Sequence, residues 1–169
     1  MHATIGERLK AVEPYLKGEE YFLANYGDGL SDLYLPTMID ELQQSDAVAS
    51  LLLVQPTASF DIVRMSPEGK IAEVSALSQS DIWINGGFFV FRNEIFRHIN
   101  PGEELVRQPF ERLIRQQALL AHKCTGFWQC MDTFKDKQRL EELNDSKPPW
   151  KVWGDCPSAV PYRNVAKVA

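Results

Sequence analysis

The sequence has few of the residues that build zinc sites and disulfide frameworks. It contains three cysteines, Cys124, Cys130 and Cys156, and they form no Cys-x-x-Cys pair. Its three histidines do not complete a zinc-binding spacing with these cysteines. The composition therefore argues against a zinc-finger or disulfide-stapled domain and is typical of a reduced, cytoplasmic protein.

The sequence also lacks long apolar runs and clusters of basic residues. Its longest apolar stretch, residues 47–54, is interrupted by Ser50 and is too short to cross a bilayer. The net charge is −5, and the 18 Lys and Arg residues are scattered along the chain. We therefore expect neither a membrane nor a nucleic acid as a partner, and a phosphorylated ligand would need a metal ion to offset its charge.

What the sequence does contain is typical of one globular domain. It has 169 residues, of which 44% are apolar and 24% charged, and this is enough to bury a single core. Residues 1–153 are predicted to form the domain. Residues 154–169 are predicted to be a separate tail, within a proline-containing stretch that begins near Ser146.

Hydrophobic patterns and turn residues predict strands that alternate with helices. The predicted strands are residues 21–26, 47–55, 60–65, 70–74, 88–91 and 119–124, and the predicted helices begin at Pro36 and cover residues 93–99, 109–117 and 133–144. This order predicts an α/β fold with a mixed, mostly parallel sheet and helices on both faces. Such folds bind ligands at the carboxyl ends of their strands.

Two aspartates follow predicted strands or apolar segments and are candidates for a metal site. Asp28 lies in Tyr26-Gly27-Asp28-Gly29, and Asp132 follows an aromatic stretch that begins at Gly126. Carboxylate oxygens suit a hard cation such as Mg²⁺, and glycine allows a charged ligand to approach the backbone. The sequence therefore predicts that Asp28 and Asp132 share one Mg²⁺ ion for phosphate chemistry.

Each of these motifs also has a purely structural interpretation. Gly-Asp-Gly is a common turn sequence, and the Gly86-Gly87 pair after Asn85 could be a bulge between apolar strands as readily as a ligand loop. Asp132 is expected to be partly buried, and capping of the helix at Thr133 could satisfy its carboxylate.

Taken together, four motifs resemble a known enzyme family. They are Tyr26-Gly27-Asp28-Gly29-Leu30-Ser31-Asp32, Trp83-Ile84-Asn85-Gly86-Gly87-Phe88-Phe89-Val90, Gly126-Phe127-Trp128-Gln129-Cys130-Met131-Asp132-Thr133 with Lys135-Asp136-Lys137, and Pro149-Trp150-Lys151-Val152-Trp153. In this order they resemble glucose-1-phosphate cytidylyltransferase and, more broadly, the sugar-phosphate nucleotidyltransferases. The resemblance covers about residues 6–153.

The resemblance implies a fold, a reaction and a set of site residues. The fold would be the family's Rossmann-like, GT-A-like domain, and the reaction would join a nucleoside triphosphate to a sugar 1-phosphate with release of pyrophosphate. Asp28 and Asp132 would hold Mg²⁺ and act in catalysis. The residues expected to bind substrate are Gly6 and Arg8 near the nucleotide, Asn85, Gly86 and Gly87 beside the sugar, and Gly27, Gly29 and Trp128.

The family pattern also includes segments that have no counterpart here. The family's Gly-rich triphosphate loop is missing, because Ile5-Gly6-Glu7-Arg8 has only one glycine, and Ala76-Leu77-Ser78 stands where the family has Glu-Lys-Pro. We therefore expect an amino-terminally truncated version of the fold, with a sheet edge that pairs with a missing segment or with another copy in a homo-oligomer. A non-catalytic remnant or binding subunit is the alternative to an enzyme.

Overall fold

The computed structural model describes residues 3–57 and 60–152, in which strands and helices alternate along the chain. The strands are β1 Tyr21–Asn25, β2 Gly29–Ser31, β3 Ala49–Val54, β4 Asp61–Met65, β5 Ile71–Ala76, β6 Ile84–Arg92, β7 Leu119–Cys124 and β8 Trp128–Cys130. The α-helices are α1 Ile5–Val12, α2 Leu35–Gln43, α3 Gln108–Arg115 and α4 Phe134–Asp145. Short 3₁₀ helices span Glu13–Leu16, Leu77–Gln79 and Asn93–His98.

The main sheet has four strands in the order β1-β6-β3-β7. Strand β6 is antiparallel to both β1 and β3, whereas β3 and β7 are parallel. Strands β1, β3 and β7 therefore run in one direction, and the sheet is mixed, as predicted, although only its β3–β7 pairing is parallel. The carboxyl ends of these three strands and the beginning of β6 meet at one edge of the sheet, the edge at which such folds bind ligands.

Helices cover both faces of this sheet, as the sequence pattern also predicts. On one face, Leu9 of α1 and Leu113 of α3 pack with Phe89 and Phe91 of β6. On the other face, α2 packs against alternate residues of β3 and β6. Because neighbouring side chains of a strand point to opposite faces, the two central strands contribute to both apolar clusters and are the most deeply buried elements.

Two small antiparallel sheets extend from the main one. Strands β2 and β8 pair with Gly29 opposite Cys130, which joins the segment after β1 to the segment before α4. Strands β4 and β5 form the predicted hairpin around the turn at residues 66–69, where Gly69 has a φ of 82°. The β2–β8 pair matters most for function, since it brings together two motifs that are far apart in sequence.

Several elements differ from the sequence predictions. Helix α1 was not predicted, and neither were β2 and β8. Strand β6 starts before the Gly86-Gly87 pair rather than after it, and residues 93–98 form a 3₁₀ helix. Trp150 packs against Phe127, with ring centroids 5.7 Å apart and ring planes inclined by 38°. Residues 153–169, including the predicted tail boundary, lie outside the described residues.

In the described ranges, none of the helices is both long and apolar enough to cross a membrane.

Candidate functional site

A cleft of about 770 Å³ opens at the carboxyl edge of the sheet. Its wall is built by the segment after β1, the start of β6, strand β8 and one face of α4. We call it the aspartate cleft, and the predicted site residues that line it are Asp28, Gly29, Asn85, Gly86, Trp128 and Asp132. The fold therefore brings most of the predicted site to one place.

Asp28 and Asp132 are held next to each other by the β2–β8 pairing. The backbone N–H of Met131 donates to the carbonyl of Asp28 over 2.9 Å, one step beyond the Gly29–Cys130 pair. Both aspartates are exposed and line the same cleft. Groups of three or more His, Cys, Asp or Glu side chains placed to hold a metal are absent from residues 3–57 and 60–152, so a cation here would depend on these two carboxylates and on ligand oxygens.

Asp132 is not occupied in capping α4. The N-cap is Thr133, whose hydroxyl accepts from the backbone N–H of Asp136, and the carboxylate of Asp136 accepts in return from the backbone N–H of Thr133 over 2.9 Å. This reciprocal capping box satisfies the first turn of the helix. The expectation that Asp132 is partly buried was wrong: the capping box is formed by its neighbours, and its own side chain projects into the open cleft.

The Cys130 thiol holds the carboxylate of Asp132. Its sulfur lies 3.2 Å from an Asp132 carboxylate oxygen, to which the thiol donates. Burial, and then the hydrogen bond to Asp132, raises the pKa of Cys130 to about 11. The thiol therefore stays protonated at neutral pH, where it can orient Asp132 but is a poor nucleophile.

The Gly86-Gly87 pair forms a bulge in β6, as its structural interpretation proposed, and this bulge borders the cleft. Leu51 of β3 faces Phe89, whereas Leu53 faces Asn85, so β6 carries extra residues between these pairs. Gly87 has a φ of 75°, and a Cβ atom there would lie 2.7 Å from the Tyr26 ring. Only glycine fits this conformation and this contact.

Polar contacts fix the bulge in place. The Asn85 side chain accepts from the backbone N–H of Gly87 over 2.9 Å and donates to the Tyr26 hydroxyl over 3.4 Å. The Trp128 indole N–H donates to the carbonyl of Gly86 over 2.8 Å. These bonds tie the segment after β1 to β6 and β8, so Asn85 and Trp128 have a clear structural role besides lining the cleft.

Gly6 and Arg8 lie on α1, away from the aspartate cleft. Gly6 is buried, and a Cβ atom there would lie only 2.4 Å from the Glu103 carbonyl, so this glycine allows α1 to pack closely. Arg8 is exposed and lines a second, mainly apolar groove of about 830 Å³ together with Gly27 and Asp28. The aspartate cleft and this groove thus meet at Asp28. The predicted roles of Gly6 and Arg8 in binding a nucleotide stay predictions.

Two cationic residues of the aspartate cleft were not predicted as site residues, although Lys135 lies in the Lys135-Asp136-Lys137 run that accompanies the Asp132 motif. Lys135 and Arg139 lie four positions apart on α4, and both line the cleft. Residues at this spacing share one face of a helix. The spacing was visible in the sequence, but nothing there indicated which face of α4 turns toward Asp28.

Comparison with known proteins identifies relatives of this chain. It is 36% identical over 151 residues to the glucose-1-phosphate cytidylyltransferases of Salmonella typhi and of Salmonella typhimurium strain LT2, and the matches cover 88% of this chain. No protein-family model matches. The chain is thus homologous to glucose-1-phosphate cytidylyltransferases, and the predicted resemblance is confirmed.

Solved structures confirm the fold. A candidate glucose-1-phosphate thymidylyltransferase from Bacillus anthracis, solved in complex with sucrose, matches with a TM-score of 0.62 at 16% identity, over 86% of this chain and 63% of that one. The chain spans only 58% of the length of the two Salmonella relatives.

Proposed function

We propose, from this homology, that the aspartate cleft is part of the active site of a sugar-1-phosphate nucleotidyltransferase. The reaction would transfer a cytidylyl group from CTP to glucose 1-phosphate or a related sugar phosphate and release pyrophosphate. The setting would be the cytoplasmic synthesis of nucleotide sugars for polysaccharides. The substrates, the metal and the setting all belong to this proposal, since the chain spans little more than half of its relatives.

The observation that carries the proposal is the pairing of Asp28 and Asp132 in one cleft. Both carboxylates are exposed, and none of the ion pairs within the described residues includes either of them. Two carboxylates that form no ion pair with the described residues are suitable ligands for Mg²⁺, which commonly binds one or two carboxylates together with substrate phosphates. When bound, Mg²⁺ would neutralise charge on the reacting phosphates.

The protein's own residues then have positioning roles. Cys130 holds the Asp132 carboxylate through its thiol, and the β2–β8 pairing fixes the backbone of Asp28 beside it. The bulge at Gly86-Gly87 brings backbone close to the cleft, where a sugar could be bound without obstruction from side chains. Phosphoryl-type transfers need mainly such positioning and charge neutralisation, because the protein does little covalent chemistry in them.

A binding subunit or non-catalytic remnant is the second candidate. The observation that favours it is that Gly6 lies within α1 and packs against the Glu103 carbonyl rather than in a phosphate-binding loop. Pyrophosphate release with CTP, Mg²⁺ and glucose 1-phosphate distinguishes the two: turnover well above background supports an enzyme in this chain alone, whereas background turnover with retained ligand binding supports the second candidate.

Calorimetric binding of CDP-glucose tests the site itself. We expect binding that requires Mg²⁺, that disappears in EDTA and that is lost in both Asp28→Asn and Asp132→Asn. Asp40→Asn, which changes an exposed aspartate on α2, is the matched control and should bind like the wild type. Binding that is equally strong in EDTA, or unchanged in both cleft variants, would contradict the proposal.

A further inference from the structure

The aspartate cleft has a cationic side formed by α4. Lys135 and Arg139 both line the cleft, opposite in charge to Asp28 and Asp132. Their spacing of four residues places them one above the other on the helix surface, about 5–6 Å apart between Cβ atoms in such pairs. This separation lets two cationic side chains converge on one small anion.

The charges of these two residues are largely uncommitted. Arg139 has a contact of 3.5 Å with Glu142, in which both side chains are more than 60% exposed, and such surface pairs contribute little. Lys135 forms no ion pair with any described residue. Both cations can therefore bind a ligand without first breaking a strong internal interaction.

The carboxylate nearest to Lys135 in sequence is already engaged. Asp136 accepts from the backbone N–H and hydroxyl of Thr133 and, over 3.2 Å, from the Gln129 side chain. The Thr133 hydroxyl, and to a smaller extent nearby backbone N–H groups and the charge of Lys135, lower the pKa of Asp136. Asp136 is therefore ionised at neutral pH and lines the cleft, but its hydrogen bonds direct it toward the helix cap. It therefore does not neutralise the cationic face of α4 by direct pairing.

We propose that Lys135 and Arg139 form the subsite for a phosphate monoester group in the aspartate cleft. Lysine supplies a mobile point charge, and the arginine guanidinium can donate two parallel hydrogen bonds to phosphate oxygens. If a divalent cation offsets Asp28 and Asp132, the two α4 cations can pair directly with phosphate oxygens, while Asp136 stays bonded to Thr133 and Gln129. This assignment rests on the proposed function and names the residues that bind the phosphate of the sugar phosphate.

Direct binding in the presence of Mg²⁺ and without CTP tests the subsite apart from turnover. Glucose 1-phosphate, inorganic pyrophosphate and glucose are titrated calorimetrically into the wild type and into Lys135→Gln and Arg139→Gln. Lys137→Gln is the matched control for lysine, since Lys137 lies on the same helix but pairs with Glu141 and lines a different pocket. Arg115→Gln on α3 is the control for arginine.

We expect each cleft variant to bind glucose 1-phosphate about tenfold more weakly, because each loses a charge-assisted hydrogen bond, and the double variant on the order of a hundredfold more weakly. The affinity of both controls for glucose 1-phosphate should stay within about twofold of the wild-type value. The affinity for glucose should be the same for all of the proteins. Circular dichroism spectra that match the wild type would show that the variants are folded.

Four results would overturn the assignment. If the wild type and both cleft variants bound glucose 1-phosphate with equal affinity, the assignment would be wrong and the proposed function would stay intact. Equal losses in the cleft variants and the controls would show a general charge effect, and losses for pyrophosphate alone would show a subsite for a different anion. Absence of any wild-type binding to glucose 1-phosphate would count against both this assignment and the sugar-phosphate part of the proposed function.

Discussion

Replacing Gly87 with alanine should destabilise the fold more than the same change at two other glycines. At Gly87 two costs combine: the backbone has a φ of 75°, and the new Cβ would lie 2.7 Å from the Tyr26 ring. The left-handed conformation costs roughly 1–2 kcal/mol for an L-residue, and overpacking typically costs about 1–3 kcal/mol. We therefore expect Gly87→Ala to lower the free energy of unfolding by about 2–5 kcal/mol.

Two control variants separate these costs. Gly102 also has a positive φ, of 79°, but a Cβ there meets no atom within 4 Å, so Gly102→Ala should cost only the backbone term of roughly 1–2 kcal/mol. At Gly27 the φ is not positive, and a Cβ would meet no atom within 4 Å. Gly27→Ala should therefore change the free energy of unfolding by no more than about 1 kcal/mol. The change is stabilising if the alanine mainly restricts the unfolded chain.

Urea unfolding followed by tryptophan fluorescence and circular dichroism measures all three variants. Gly27→Ala should be the most stable variant, Gly102→Ala the next and Gly87→Ala the least stable. The free energy of unfolding should fall with urea concentration at a similar slope in all three. If Gly87→Ala proved as stable as Gly102→Ala, the close contact between the β6 bulge and Tyr26 would be refuted. If it proved as stable as Gly27→Ala, the bulge geometry itself would be refuted.

Three further predictions concern charge, thiol reactivity and assembly. Arg112 lowers the pKa of Glu103 to about 2 from 4.5, so Glu103→Gln should have a lower melting temperature than the wild type at neutral pH. The difference in melting temperature should vanish as pH falls from 4.5 toward 2, and a constant difference across that range would contradict this prediction. Peptide-resolved alkylation should show Cys130 reacting with an apparent pKa near 11. Asp132→Asn should lower that pKa because it replaces a negatively charged hydrogen-bond acceptor with a neutral one, and an unchanged profile would show that the carboxylate has no influence. Strand β1 lies at the edge of the main sheet, and its Leu23 is 48% exposed. Light scattering should therefore detect self-association of the wild type, and Leu23→Lys should reduce it. A monodisperse wild-type monomer would refute this prediction.

The local fold was most predictable where sequence pattern and turn chemistry agree. Strand β7 matches its predicted bounds, and the β4–β5 hairpin forms around its predicted turn. Helix α1 had a signal that was overlooked, since Thr4 and Glu7 have the spacing of a capping box and do form one. Gly6 weakens the helical propensity of the same segment, and its reason, the close approach to the Glu103 carbonyl, is a tertiary contact.

The candidate site was predictable in its residues but not in its geometry. Asp28 and Asp132 stood out through their motifs, yet their proximity depends on β2 and β8, which are three residues each and too short for a periodic signal. Strand β6 was predicted too short because paired glycines usually end a strand, whereas here the Asn85 and Trp128 side chains support a bulge within it.

The most direct test of the central claim is an anomalous diffraction map of crystals grown with Mn²⁺ and glucose 1-phosphate, with Mn²⁺ standing in for Mg²⁺. The account predicts one metal peak in the aspartate cleft, bonded at roughly 2.0–2.3 Å to a carboxylate oxygen of Asp28 and to one of Asp132. A peak bonded to only one of them, or metal bound only elsewhere on the protein, would contradict the claim that these two aspartates share one divalent cation.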